Sequence, residues 1–231
     1  MVIIRYRIVF LLLLISGISS NQVLINAESK TIVAKSEEAK VVLYAVKSDG
    51  MYRNFEMKIN KGTRFFPFWL NVTNPKYAPE ILYNDINRDG IKDLIIVLTR
   101  GYGTGARDSE VHLFHKIRTN IGEVDKEILV DNPTAIILKN LKTSLSKHQA
   151  IVRIGNRKTT IKFDPLHIPQ EHLFSDIVFG NIIRYDVIND QLVASVSAQI
   201  SPTTFIGMIE ITYEFKDKMY QVKKIEFKRE K

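Results

Sequence analysis

Asp85-Ile86-Asn87-Arg88-Asp89-Gly90-Ile91-Lys92-Asp93 runs without a break into Leu94-Ile95-Ile96-Val97-Leu98. Oxygen-bearing side chains stand at every second position, Asp85, Asn87 and Asp89, and return at Asp93. Gly90 falls where a chain wrapping an ion must turn sharply, and Ile91 is placed to add a backbone carbonyl. Ca²⁺ takes roughly six to eight oxygens at about 2.3–2.6 Å, and loops with acidic groups at positions one, three and five and glycine at six supply them. The spacing therefore predicts a Ca²⁺ site made of Asp85, Asn87, Asp89, Ile91 and Asp93. The competing reading is an Asx-rich turn with no ion. Three aspartates crowded into so short a loop repel one another, which favours the ion.

Position twelve separates two kinds of cation loop. An EF-hand loop ends there in a bidentate acid between helices. Here position twelve is Ile96, inside an aliphatic run bounded by Asp93 and Gly101, which reads as a buried strand. A loop that closes at position nine and feeds a buried strand resembles the FG-GAP/VCBS calcium loop of integrin α-subunit propellers and bacterial exported proteins. The resemblance covers residues 85–98 well and 77–115 loosely. It implies a structural Ca²⁺ on a β scaffold.

Propellers of that family repeat the loop blade after blade, and only one full copy occurs here. A faint echo, Asn189-Asp190-Gln191-Leu192, precedes the strand-like Val193–Ser197 but lacks the carboxylates. Residues 93–99 and 110–116 flank one polar loop, and 191–199 and 205–216 flank another. A degenerate internal duplication and two ordinary hairpins both fit that layout. A full propeller needs at least four blades of about forty residues; the length permits it and the single motif does not support it.

Met1–Ser20 carries Arg5 and Arg7, an apolar core from Ile8 to Ile15, then Ser16-Gly17-Ile18-Ser19-Ser20. This basic, apolar, small-residue order predicts a secretory signal peptide cleaved after Ser19 or Ser20. Its apolar core falls short of the roughly 20 residues that span a bilayer, so the mature chain is expected to have no transmembrane helix. The chain has no cysteine, which excludes disulfides and lipidation through a lipobox cysteine. It also leaves core packing, with any metal, to stabilise an exported chain. Cysteine-free export fits a bacterial protein, secreted or held at the cell envelope. Asn71-Val72-Thr73 matches a glycosylation sequon, a pattern too short to carry weight in a bacterial protein. The net charge is +8, and without the first twenty residues 31 basic side chains remain against 25 acidic. Outside a cell such a balance points to anionic wall polymers or an envelope protein. No compact basic face with interleaved aromatics suggests nucleic acid.

Period-two patterning dominates the rest. Val41–Val46 and Tyr52–Ile59 flank Ser48-Asp49-Gly50, a hairpin signal. Thr63–Val72 reads as an aromatic-rich strand broken or bulged at Pro67. Hairpins are also expected at Gly155–Lys158 and at Lys216-Asp217-Lys218. Asp131-Asn132-Pro133 starts a short helix, with Pro at its first position, and a weaker helix lies near Pro169–Phe174. The expected architecture is mostly β, with antiparallel sheets in a sandwich-like or partial propeller-like arrangement. One or two short helices interrupt it. A signal segment 1–20 precedes β regions 21–131 and 132–231, joined through a polar connection at 131–148, or one continuous domain 21–231.

Catalytic signatures are scarce. His112, His115, His148, His167 and His172 lack zinc-ligand spacing, and no nucleophile elbow occurs. Alternation turns His112 toward solvent. Gly101-Tyr102-Gly103-Thr104-Gly105 is not followed by the helix a phosphate-binding loop needs; it reads as a flexible hairpin loop beside the calcium loop. Tyr102 and Arg107 on it are candidate partner contacts. The sequence points to an exported, Ca²⁺-binding module of the envelope. The alternative is an extracellular hydrolase, or a domain attached to one, whose catalytic residues carry no signature.

Overall fold

The computed structural model describes residues 29–60, 62–120, 122–163, 168 and 170–229, so the signal segment and His167 lie outside the described residues. Short hairpins order the chain into successive antiparallel meanders. The first comprises β1 (Lys30–Ser36), β2 (Val41–Ser48), β3 (Met51–Ile59) and β4 (Gly62–Phe66), with the two-residue β5 (Asn71–Val72) beside the start of β3. The second runs through β6 (Glu80–Asn84), β7 (Asp93–Gly103), β8 (Ala106–Thr119) and β9 (Gly122–Ile128). A helix, α1 (Pro133–Asn140), leads into a three-stranded sheet of β10 (Leu141–Leu145), β11 (Gln149–Ile154) and β12 (Arg157–Lys162). The last meander is β13 (Val178–Val187), β14 (Leu192–Ser201), β15 (Thr204–Lys216) and β16 (Met219–Arg229). It joins the second through a parallel contact, Ile182 opposite Arg107, giving one eight-stranded sheet. The protein is mostly β.

Turn chemistry explains the hairpins. Asp49-Gly50 and Asp217-Lys218 close two-residue turns with positive φ at both positions, the twist that suits antiparallel strands. Gly155-Asn156 joins β11 to β12 in the same short span. Asn132 caps α1, its side chain accepting from the Ala135 N–H at 3.0 Å, with Pro133 following. The second helix expected is a short 3₁₀ turn, Gln170–His172. Within 131–148 the chain is mostly regular structure. Residues 133–145 form α1 and β10: Ile136 and Ile137 are buried, and Leu141, Thr143 and Leu145 alternate toward the core.

β7 is buried on both faces. Ile95 and Val97 belong to a large core with Leu113, Leu192, Val196, Ile209 and other residues of the eight-stranded sheet, closed by α1 and the three-stranded sheet. Leu94, Ile96 and Leu98 point the other way, into a second core with Leu43, Phe55, Met57, Phe66 and Trp69 of the first meander. Each such side chain contributes about 1.5–3 kcal/mol by leaving water. The larger core runs from Ile86 to Tyr220 and so crosses position 131. The β13–β16 meander follows the same strand plan as β6–β9, with Asn189 and Asp190 in the turn before β14.

Burial on both faces makes a specific prediction. Ile95→Ala and Ile96→Ala should each lower unfolding free energy by about 2–5 kcal/mol in urea titrations. In a strand with one solvated face, one of the two would be nearly silent.

Candidate functional site

The β6–β7 hairpin loop, residues 85–92, is held by its own side-chain oxygens. Asp85 accepts from the Asp89 N–H (3.1 Å) and the Gly90 N–H (2.9 Å). Asn87 Oδ1 accepts from the same Asp89 N–H at 2.9 Å, so Asp85 and Asn87 face a common point. Asp89 accepts from the Ile91 N–H at 2.8 Å and from Asn87 Nδ2 at 3.0 Å. Arg88 and Gly90 have positive φ, which lets the loop coil tightly; glycine adopts it without a steric penalty. Ile86 is buried in the larger core and pins the loop from beneath.

Asp93 opens β7 and is only 1% exposed. Its Oδ2 accepts from the N–H groups of Ile86 (3.1 Å) and Asn87 (3.3 Å), which ties the two ends of the loop together. Burial pushes its carboxyl up to about 7, against the pull of those two N–H groups, and the charges of Asp89 and Asp85 push the same way. Among the described residues, no Lys or Arg side chain pairs with this charge. Lys92 turns away to pair with Glu38, and among the described residues no other Lys or Arg pairs with Asp85, Asp89 or Asp93.

Sequence reasoning missed His115. It is buried on β8, with Nε2 2.9 Å from the Tyr220 hydroxyl and 3.8 Å from Asp93 Oδ1. Asn87 Nδ2 approaches its Nδ1 at 3.4 Å. An amide donor there assigns Nδ1 as acceptor and the proton to Nε2. Burial lowers the His115 pKa, only partly offset by Asp89, which disfavours a charged ring beside the carboxylates. The Tyr220 hydroxyl is pushed up by burial and by the same three aspartates. The available signal was alternation: His115 lies two residues beyond Leu113, on the face turned toward the larger core.

His112 departs from its expected place. It shares the face of Phe114, and the first meander covers that face. Its ring stacks on Trp69 with centroids 4.1 Å apart, and Nδ1 lies 3.0 Å from Glu127. Asn71 of the sequon is fully buried, its amide donating to the Tyr77 carbonyl and its oxygen accepting from the Thr99 N–H. His148 and His172 are exposed.

Tyr102 and Arg107 are cross-strand partners near the β7–β8 turn, which consists only of Thr104 and Gly105. The expected flexible loop is thus a hairpin with strands extended almost to its tip. It is not beside the acidic loop: the eleven residues of β7 at about 3.3 Å each place it roughly 30 Å away. Tyr102 is 48% exposed and packs against Tyr77 at 4.7 Å. Arg107 pairs with Glu80 at 2.8 Å and lies over the Tyr77 ring at 5.5 Å.

Among the described residues, no group of three or more His, Cys, Asp or Glu side chains is arranged as a metal centre. The oxygen set of the loop counts Asn87 alongside its aspartates. That set is hard, anionic and without a paired Lys or Arg among the described residues, which fits a Ca²⁺ ion. No protein-family model, curated protein or solved structure matches the chain.

The Asp93 shift sets a pH dependence. Its folded pKa stands near 7 and its unfolded value near 3.8, so the metal-free folded state holds more protons between them. In chelator, stability should therefore fall as pH rises from about 4 to about 7. Melting temperatures of wild type compared with Asp93→Asn, which cannot titrate, isolate the effect. Parallel pH curves for the two would contradict it.

Proposed function

We propose that the chain is an exported, Ca²⁺-stabilised β module that holds an anionic wall polymer or an envelope protein. Asp85, Asn87, Asp89 and Asp93, with the Ile91 carbonyl, hold the ion; Tyr102 and Arg107 contact the partner. The observation that carries the metal reading is Asp93, a buried carboxylate beside two others, with no Lys or Arg paired to them among the described residues. A bound Ca²⁺ supplies positive charge and cross-links the loop; nothing in this role requires an open coordination position for chemistry. The single loop's resemblance to FG-GAP/VCBS proteins supports the same assignment.

Export and an anionic partner rest on the basic, apolar and small-residue order of the first twenty residues and on the positive balance that remains after them. Mass spectrometry of the native protein should find a chain beginning at Ser20 or Asn21. An intact Met1 would replace cleavage by a retained anchor.

Ca²⁺ at saturation should raise the melting temperature at pH 8 relative to chelator, because a ligand that binds only the folded state stabilises it. Asp89→Ala should remove most of that rise. The double variant Tyr102→Ala/Arg107→Ala should keep the Ca²⁺ response, lose on the order of 1 kcal/mol from its half-buried ion pair, and elute earlier from isolated envelopes. Retention equal to wild type across salt concentrations would remove the hairpin tip from the contact.

A further inference from the structure

A groove on the outer face of the last meander reaches the hairpin tip, and its lining is chemically lopsided. Arg184 lies opposite Ser195, and Ser195 opposite Glu210, so one cross-strand row runs over β13, β14 and β15. The next row places Met208 opposite Lys228. In the middle, β14 presents short Ser195 while its neighbours carry long side chains, and the difference in height leaves a trough. A cavity of about 730 Å³ occupies it. Gly207 is needed at its edge: φ is +150, and a Cβ there would run into the Lys228 carbonyl, so only glycine lets β15 and β16 close up.

Arg107, Ile182 and Arg184 line this cavity and also a hollow of about 330 Å³ beside Lys76 and Tyr77. The two spaces adjoin and make an extended groove. Five cations border it, Lys76, Arg107, Arg184, Lys228 and Arg229, against three acids, Glu80, Asp186 and Glu210. Two of those acids are already engaged, Glu80 by Arg107 at 2.8 Å and Glu210 by Lys228 at 3.6 Å. Arg184 and Arg229 are exposed and have no ion pair among the described residues. Half-buried Tyr77 and Phe205 add apolar surface along the length.

We propose that this groove binds a phosphate-bearing anionic chain, with Arg184 and Arg229 engaging successive phosphates and Tyr77 and Phe205 packing against the spacer. The assignment rests on the reading of the chain as a module for anionic partners, and it names the surface and the repeating charge. Guanidinium groups match phosphate oxygens in a bidentate fork, and their spread along a groove suits a chain better than a single ion.

Calorimetric titration of the full chain with a glycerol-phosphate decamer tests it, with inorganic phosphate as the second arm. Wild type should bind the decamer, and inorganic phosphate at equal phosphate concentration should not displace it. Arg184→Glu/Arg229→Glu should weaken binding at least tenfold, with the melting temperature unchanged. Lys142→Glu/Lys147→Glu, exposed positions near the β10–β11 turn, changes net charge equally and should cost less than threefold. Should the first double variant not fold, Arg184→Gln alone should weaken binding about threefold. Equal losses in both double variants, wild-type affinity after the groove reversal, or displacement by inorganic phosphate would each overturn the groove. A wild type that ignores the decamer yet is retained on envelopes would overturn the groove and leave the module reading standing. Loss of both would remove the module reading itself.

Discussion

A strand with no polar face organises this molecule. β7 turns Leu94, Ile96 and Leu98 into one core and Ile95 and Val97 into another, and a strand buried in this way needs a layer of protein on each side. The first meander supplies one layer. The curled eight-stranded sheet, with α1 and the three-stranded sheet, supplies the other. Cross-links then hold the layers in place. Arg64 donates to the Asp125 carbonyl at 2.8 Å and lies over Phe114. Between β9 and α1 the chain is stitched to β16 by the Val130–Tyr220 bridge and by the Asp131 N–H to the Tyr220 carbonyl at 2.9 Å.

The two ends of β7 differ for the same reason. At its start the chain must leave a double core, and Asp93 is drawn below the surface while still needed to close the acidic loop. That places a carboxylate in a site where its charge is costly. His115 and Tyr220 give it polar neighbours, and they link the loop to the last strand of the fold. At the far end, β7 and β8 continue beyond the buried run to a short hairpin that meets β13 at Ile182 and Arg107, and there Tyr77 packs against Tyr102 and under Arg107. The two ends of β7 are thus separate in space: an acidic loop at one, an aromatic and basic cluster at the other.

Much of the fold was legible because local chemistry decided it. Asp49-Gly50, Gly155-Asn156, Asp217-Lys218 and Asn132-Pro133 each specify a turn or cap from a few residues. The run Leu94–Leu98 announced a buried strand; that its two faces enter two different cores came only with the structure. β1, β9 and β13 were harder to read, since charged residues interrupt their alternation and long-range pairing decides their state. His112 was misread because alternation along β8 fixes which residues share a face and not whether another sheet covers it. His115 is the same lesson at the site: its partner Tyr220 is 105 positions away. The acidic loop itself was fully visible. That no described Lys or Arg pairs with its carboxylates was not, because that depends on where Lys92 and His115 turn in three dimensions.

Calorimetric titration with Ca²⁺ at pH 7, repeated in two buffers of different ionisation enthalpy, tests the central claim most directly. An ion that settles on Asp93 must displace whatever proton that carboxyl carries. With its pKa near 7, about half a proton should leave per ion bound, and the apparent enthalpy should shift between buffers accordingly. One Ca²⁺ per chain, with that buffer dependence lost in Asp93→Asn, is the predicted result. Heat that does not change with Ca²⁺, or binding that releases no proton in either buffer, would contradict the assignment of the ion to a loop closed by Asp93.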